Sequence, residues 1–302
     1  MGSSKNLLAT RNGRFLTFGL LYISEGIPYG FTSIAMVAFM RQQSVSLELI
    51  GAFVGALFLP WAFKWAWAPI VDLVKLHRLG GRKAWIIFCT LMMIATLMVT
   101  AMVDFKENFR LLLAMIVLNN LFCATQDVAI DSLAVSTFRE NERGRANGFM
   151  FAGQYFGIAL GGSGAIFVYG YFGFEIALAY ISSLLFINLL FVVFYVHDPS
   201  ANPDAKPQEH AARNLVTHLI SFVKEVYESF WKSGSGPMLG VAFALLPIGA
   251  FALAYAMLST IQVDYGLTEN QIASLMLYNT LTSAVGCIIG GMLGDRFGKK
   301  KV

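Results

Sequence analysis

The sequence predicts an all-α polytopic membrane protein, and three observations carry that prediction. Of 302 residues, 57% are hydrophobic and only 13% are charged, against about 25% charged in an average globular domain. Apolar stretches of about 18 residues or more, each long enough to span a bilayer, recur along nearly the whole length. Lysines and arginines gather in every second loop between them. The net charge of +4 does not mark a nucleic-acid binder, because the basic residues sit in short loops rather than on one face. The expected partners are a lipid bilayer and a small-molecule solute, for a chain that acts as a monomer.

Eight spans can be drawn, at about 15–40, 48–72, 84–103, 109–136, 145–169, 173–197, 237–263 and 270–294. The first follows Arg11 and Arg14, is too long for a signal peptide and lacks a small-residue cleavage site, so it reads as a retained helix. Within it Glu25 is followed by Gly26-Ile27-Pro28 and Tyr29-Gly30, a run that loosens or kinks a helix. The second span holds the aromatic stretch from Leu59 to Asp72, with Lys64 inside it, and leads to a turn at Gly80-Gly81 and the basic pair Arg82 and Lys83. The fifth carries Gly153, Gly157 and Gly161 at four-residue spacing, and the eighth carries Gly286, Gly290 and Gly294. Small residues at this spacing let helices approach closely in lipid, so these glycines are expected to pack helix on helix, with the fifth and eighth helices facing each other.

The sixth span ends at His197-Asp198-Pro199 and a polar connector. After it, Leu215, Leu219, Ile220, Val223, Tyr227, Phe230 and Trp231 share one helical face, with Arg213, His218, Lys224, Glu225, Glu228 and Lys232 opposite. That pattern predicts a helix lying at the membrane surface. The loops on one side hold 18 of the 22 lysines and arginines, which places the N-terminus in the cytoplasm. Cys89, Cys123 and Cys287 lie inside apolar segments without metal or disulfide spacing, so no metal site is expected. His77, His197, His210 and His218 fall in or beside cytoplasmic loops and read as solvated.

The chain repeats itself at an interval of about 220 residues. Val45–Ile50 resembles Leu267–Ile272, and Asp72 corresponds to Asp295 with its Arg296 and Gly298. The expected domains are a six-helix unit at 1–197, a cytoplasmic linker with its amphipathic helix at 198–236, and the first two helices of a second unit at 237–302. A unit that stops two helices in reads as part of a longer architecture.

Few ionisable residues fall within the spans. Glu25, Lys64 and Asp127 come out roughly 12–15 Å from the cytoplasmic helix ends at 1.5 Å per residue, and Asp131 lies one turn closer on the face of Asp127. Charges at such depth mark a pathway or a paired site. One lysine among three acids leaves at least one carboxylate without a cationic partner, a group that could serve as a proton site, with Lys64 as an anion contact. The structural alternative is an ion-pair network fixing helix ends, with Asp131 paired to Arg139, Arg143 or Arg145, or Lys64 reaching to the headgroups. Asn119, Asn120, Gln126, Gln154 and Tyr155 are candidates for hydrogen-bonding groups in the same cavity.

At these residues a family resemblance enters. Asp72 to Lys83 and Gly291 to Lys300 resemble the signature between the second and third and the eighth and ninth helices of the major facilitator superfamily. Glu142 to Gly148 and the glycine run Gly157 to Gly164 are similar to its fourth-to-fifth helix segment. Gly26-Ile27-Pro28, Phe63-Lys64 through Trp67-Ala68-Pro69 to Asp72, and Ala124-Thr125-Gln126-Asp127 to Asp131 look like the AmpG-like muropeptide permease and acetyl-CoA transporter group. The resemblance implies a helical bundle of twelve or more helices in two rocking halves, of which this chain would hold about eight. It further implies uptake of an anionic solute such as anhydro-muropeptide across a bacterial inner membrane. The proton gradient would drive that uptake, with no cofactor and no enzymatic activity. Glu25, Lys64, Asn119, Gln126, Asp127, Asp131, Gln154 and Tyr155 would serve solute and coupling, and Asp72, Arg82, Lys83, Asp295, Arg296 and Gly298 a conformational gate. Acetyl-CoA transport, and a sensor that kept the fold without transport, are the competing expectations. An intramembrane protease is disfavoured because Asp127 and Asp131 share one helix.

Overall fold

The computed structural model describes residues 6–73, 80–102, 108–199, 201, 211–232, 234–244, 254 and 257–298, with helices throughout and no strand among them. Helix α1 (Arg11–Gly30) starts at Thr10, whose hydroxyl accepts the Gly13 N–H at 3.1 Å. It continues unbroken through a wider, π-type turn at Phe31–Ala35 into α2 (Met36–Gln42). Then come α3 (Leu47–Leu73), α4 (Arg82–Ala101) and α5 (Phe109–Thr137). Helix α6 (Arg143–Ile158) passes through a second π-type segment, Ala159–Gly164, into α7 (Ala165–Phe172). The remaining helices are α8 (Phe174–Tyr195), α9 (Ala211–Lys232), α10 (Ser235–Ala244), α11 (Leu258–Asp264) and α12 (Glu269–Phe297).

Six helical segments among the described residues are long and apolar enough to cross a membrane: Leu47–Val71, Arg82–Ala101, Phe109–Thr137, Glu140–Phe172, Phe174–Tyr195 and Glu269–Phe297. They match the second to sixth and eighth expected spans. The first expected span is the continuous α1–α2 run. It is more polar than the others because Thr17, Ser24 and Glu25 are turned inward, at 1% exposure or less. Only parts of the expected seventh span, in α10 and α11, lie within the described residues. Trp65, Met98, Ile187 and Phe194 point outward, as they must in a protein whose solvent is lipid.

Helix α6 lies between α1 and α12, and α5 lies between α3 and α4, with α8 against α4. The α1–α6 contact is backbone against backbone. A Cβ at Gly153 would fall on the Gly19 carbonyl oxygen, one at Gly157 on that of Ile23, and one at Gly161 on that of Ile27. Reciprocally, Gly26 faces the Gln154 carbonyl and Gly30 that of Ile158. The expected facing of the glycine-rich fifth and eighth helices appears as α6 against α12, but the glycines differ. Nothing lies within 4 Å of a Cβ built on Gly286 or Gly290, so their expected packing role is corrected. Those two fall on the helical face of Asn279 and Ser283, where a Cβ meets open space, and the close approach is made by Gly291 against Gly144 and Gly148.

The repeat has a structural counterpart. Helices α3 and α12 begin at Leu47 and Glu269, 222 positions apart. Ser44 and Gly266, at the same interval, both take positive φ, 62° and 78°, in the turns before them. Arg41 and Asp264, 223 apart, form an ion pair at 2.5 Å.

Candidate functional site

The buried charges expected at one depth do come together. Lys64 of α3 forms an ion pair with Asp127 of α5, and its ammonium lies 5.4 Å from the Trp61 ring centroid. The Lys64 side chain is 36% exposed while that of Asp127 is 5% exposed, so the cation is the accessible partner. Asp131 accepts the Tyr22 hydroxyl at 2.5 Å; no ion pair joins it to Arg139, Arg143 or Arg145 among the described residues. Lys64 pairs inward, which sets aside the snorkelling alternative. Glu25, 1% exposed, accepts a hydrogen bond from the Gln154 amide nitrogen on its Oε1 at 2.5 Å. Its Oε2 is buried without a hydrogen-bond partner.

Helical spacing explains this assembly. Asp127 and Asn120 are seven residues apart and share the α5 face turned toward α3, where Asn120 Oδ1 accepts from Trp61 Nε1 at 3.4 Å. Asn119 and Gln126 occupy the neighbouring face, and there the expectation is corrected. Asn119 donates to the Met93 carbonyl and to Thr96 Oγ1, both at 2.9 Å, and Gln126 to Thr90 Oγ1 at 2.6 Å. These two amides tie α5 to α4, Gln126 also accepting from Ser24 of α1 at 3.4 Å, and neither lines the cavity described next. Helix α5 is apolar nearly all round, so periodicity alone could not tell its two polar faces apart.

Beside the charge cluster lies a cavity of about 470 Å³ lined by Tyr29, Phe58, Trp61, Gln154, Tyr155, Ile158, Asn279 and Ser283. Gln154 and Tyr155 thus face the cavity as expected. The acids themselves are behind its wall, and Gln154 joins the cavity to Glu25. Sequence reasoning missed Phe58, Trp61, Asn279 and Ser283. Trp61 sits three residues before Lys64, one helical turn away, and that spacing was the available signal. For Asn279 and Ser283, a four-residue polar pair in α12, the signal was as plain as the one at Asp127 and Asp131.

The gate residues divide. Asp295 accepts the backbone N–H of Arg145 at 2.8 Å, in the first turn of α6. A Cβ on Gly144 would collide with that same carboxylate. A carboxylate there satisfies an orphan N–H and complements the helix dipole, and it ties α12 to the first unit. Gly298 ends α12 at φ 90°, and Arg296 stacks on its neighbour Phe297. In the first copy, Arg82 reaches Ser132 at 2.7 Å and Asp198 at 3.9 Å, while Lys83 donates to the Val193 carbonyl at 2.7 Å. Those ties stay within the first unit and the opening residue of the linker. The Asp72 side chain lies outside the described residues. Asp198, at the start of the polar connector, is buried and accepts the Arg82 N–H at 2.6 Å. Nearby, Glu142 receives a two-pronged bond from Arg14 at 2.9 and 2.8 Å.

A multi-helix membrane bundle with a buried charge cluster behind a central cavity is the architecture of a solute transporter. The family model of the Major Facilitator Superfamily matches residues 15–302, and the chain belongs to that family. Among curated proteins it is similar to AmpG 4 of Rickettsia conorii, a transporter by its assigned name. The two are 24% identical over 95% of this chain and 69% of that protein. AmpG 4 of Rickettsia felis is 23% identical over the same shares. The anhydromuropeptide permease of Escherichia coli K12 is 23% identical over 55% of this chain and 34% of its own length.

Proposed function

We propose that the chain serves proton-coupled uptake of an anionic solute, of the anhydro-muropeptide kind, across a bacterial inner membrane with its N-terminus in the cytoplasm. The observation that carries this reading is the line from the cavity through Gln154 to Glu25, beside the Lys64–Asp127 pair. Lys64 is the exposed member of its pair, so an incoming anionic group competes with Asp127 for it. Glu25 has no cationic partner of its own among the described residues and is the group that takes up and releases the proton. A buried ion pair that gives up one partner leaves an uncompensated charge, which makes solute arrival at Lys64 and proton arrival at the acids favour one another. The helices before the linker and those from α10 onward form two units that rock about this cavity, with Asp295 holding the closed position. Helix α9, with Ile220, Val223, Tyr227 and Trp231 all exposed, rests on the membrane surface between them.

The test is uptake of labelled anhydro-muropeptide by vesicles carrying the gene product. Accumulation that collapses with an uncoupler is expected, and Glu25→Gln should abolish accumulation while sparing exchange. No uptake, or uptake indifferent to the uncoupler, overturns the reading.

A further inference from the structure

Gln154 both lines the cavity and donates a hydrogen bond to Glu25. An ionised carboxylate only accepts hydrogen bonds, whereas a protonated one also donates an O–H. A glutamine amide offers a donor at one end and an acceptor at the other, and the two ends have nearly the same shape. A half-turn about its last bond exchanges them without displacing a heavy atom of the helix.

We propose that Gln154 is a hydrogen-bond switch whose amide turns over with the charge on Glu25. With Glu25 ionised, the amide NH2 faces the acid and the amide oxygen faces the cavity. With a proton on Glu25, the O–H donates to the amide oxygen and the NH2 faces the cavity. One proton is added to one carboxylate oxygen, and apart from that O–H bond only hydrogen bonds are exchanged. The inference rests on the reading of Glu25 as the proton site and adds how the cavity learns of that proton.

Two groups can receive a Glu25 O–H: the Gln154 amide, and Asp127, which stands within hydrogen-bonding reach but whose carboxylate is already held by Lys64. On its own helix Tyr22 is committed to Asp131. From α3 comes Lys64, committed to Asp127, and from α5 come Asp127, Asp131 and Cys123, whose thiol approaches the Glu25 carbonyl at 3.7 Å. From α6 comes Gln154 itself. On the far wall, Ser283 donates to the Asn279 carbonyl at 2.9 Å, and Tyr29 and Trp61 hold each other edge to face at 6.5 Å. Proton loading therefore converts one wall of the cavity from hydrogen-bond acceptor to donor. A solute presenting a carboxylate or carbonyl at that wall is held more tightly by the protonated form, and one presenting an N–H or O–H by the ionised form.

Infrared difference spectra of the protein in liposomes, recorded on acidification without any solute, test the switch directly. Glu25→Gln identifies the carbonyl band of protonated Glu25 by its loss. In the unsubstituted protein that band should appear together with a shifted glutamine amide band. Gln154→Leu should move the Glu25 band to the frequency of an unbonded acid and remove the amide signal. If Gln154→Leu does not fold, Gln154→Asn, whose amide stops one carbon short, gives the same comparison. An unmoved Glu25 band in the Gln154 variant overturns the switch alone. If Glu25→Gln removes no band, the proton-site reading fails and the switch with it. In binding of labelled anhydro-muropeptide, the pH dependence should shrink roughly five- to tenfold in the Gln154 variant, the effect of one hydrogen bond.

Discussion

Asp127 shows how one residue joins stability to function. It is buried at 5% side-chain exposure and its charge is met by Lys64. Lys64→Met leaves that carboxylate unpaired, and a loss of about 2 kcal/mol or more is expected, below the fully buried case because Lys64 is partly exposed. Adding Asp127→Asn should recover most of the loss, since no charge is then stranded. Thermal unfolding in detergent reads both variants, and equal stability of the single and double variants would contradict the pairing. The depth of Glu25, Lys64 and Asp127 was legible from counting residues along apolar spans. Their partners were not, because a 3.6-residue period states which residues share a face without stating which neighbour that face meets. Asn119 and Gln126 illustrate the limit: one residue ahead of Asn120 and Asp127, they turn to Thr96 and Thr90 on α4.

At the scale of elements, the glycine seam between α1 and α6 sets the geometry of the site. Gly153, Gly157 and Gly161 bring the two backbones into contact, which places Gln154 beside Glu25. Gly157→Ala inserts a methyl against the Ile23 carbonyl and is expected to cost about 1–3 kcal/mol, as overpacking does. Gly286→Ala and Gly290→Ala meet open space and should be neutral or stabilising by up to about 1 kcal/mol, the helix-propensity difference. Ranking these variants by melting temperature checks the assignment, and a destabilised Gly290→Ala would refute it. Four-residue glycine spacing announced close packing in both helices, but α12 carries glycines on two adjoining faces, Gly286 and Gly290 on one and Gly291 beside them, and spacing alone could not say that Gly291 is the residue turned toward α6. The two π-type segments, Phe31–Ala35 and Ala159–Gly164, pack on each other where α1 and α6 cross, with Gly162 against Ile34. Pro28, which lacks an N–H for the helix ladder, was the visible sign of the first. The second had only its glycines to announce it.

For the whole molecule, ties between the two units occur at both ends of the bundle. Asp295 meets the first turn of α6 at the end with the basic loops, and Arg41 meets Asp264 at the other. Asp295→Ala removes a first-turn carboxylate and should weaken that contact by about 0.5–2 kcal/mol, in the range of helix-capping losses. In Arg41→Asp the ion pair becomes a repulsion, and the reciprocal Asp264→Arg should restore stability. A double variant no better than either single one would show that the two residues do not interact. Both ties involve repeat-related positions, and the interval of about 222 residues is legible in the sequence from Val45–Ile50 and Leu267–Ile272.

The seam between α6 and α12 also supplies a native chemical clock. Gly148 rests against the backbone of Cys287, while Cys89 and Cys123 are fully enclosed in the first unit. Of the three thiols only that of Cys287 is partly open, and its residue's backbone carbonyl lies in the α6–α12 contact. The rate at which a maleimide consumes it would therefore time the parting of the units in an unmodified chain, with the other two cysteines silent as built-in controls.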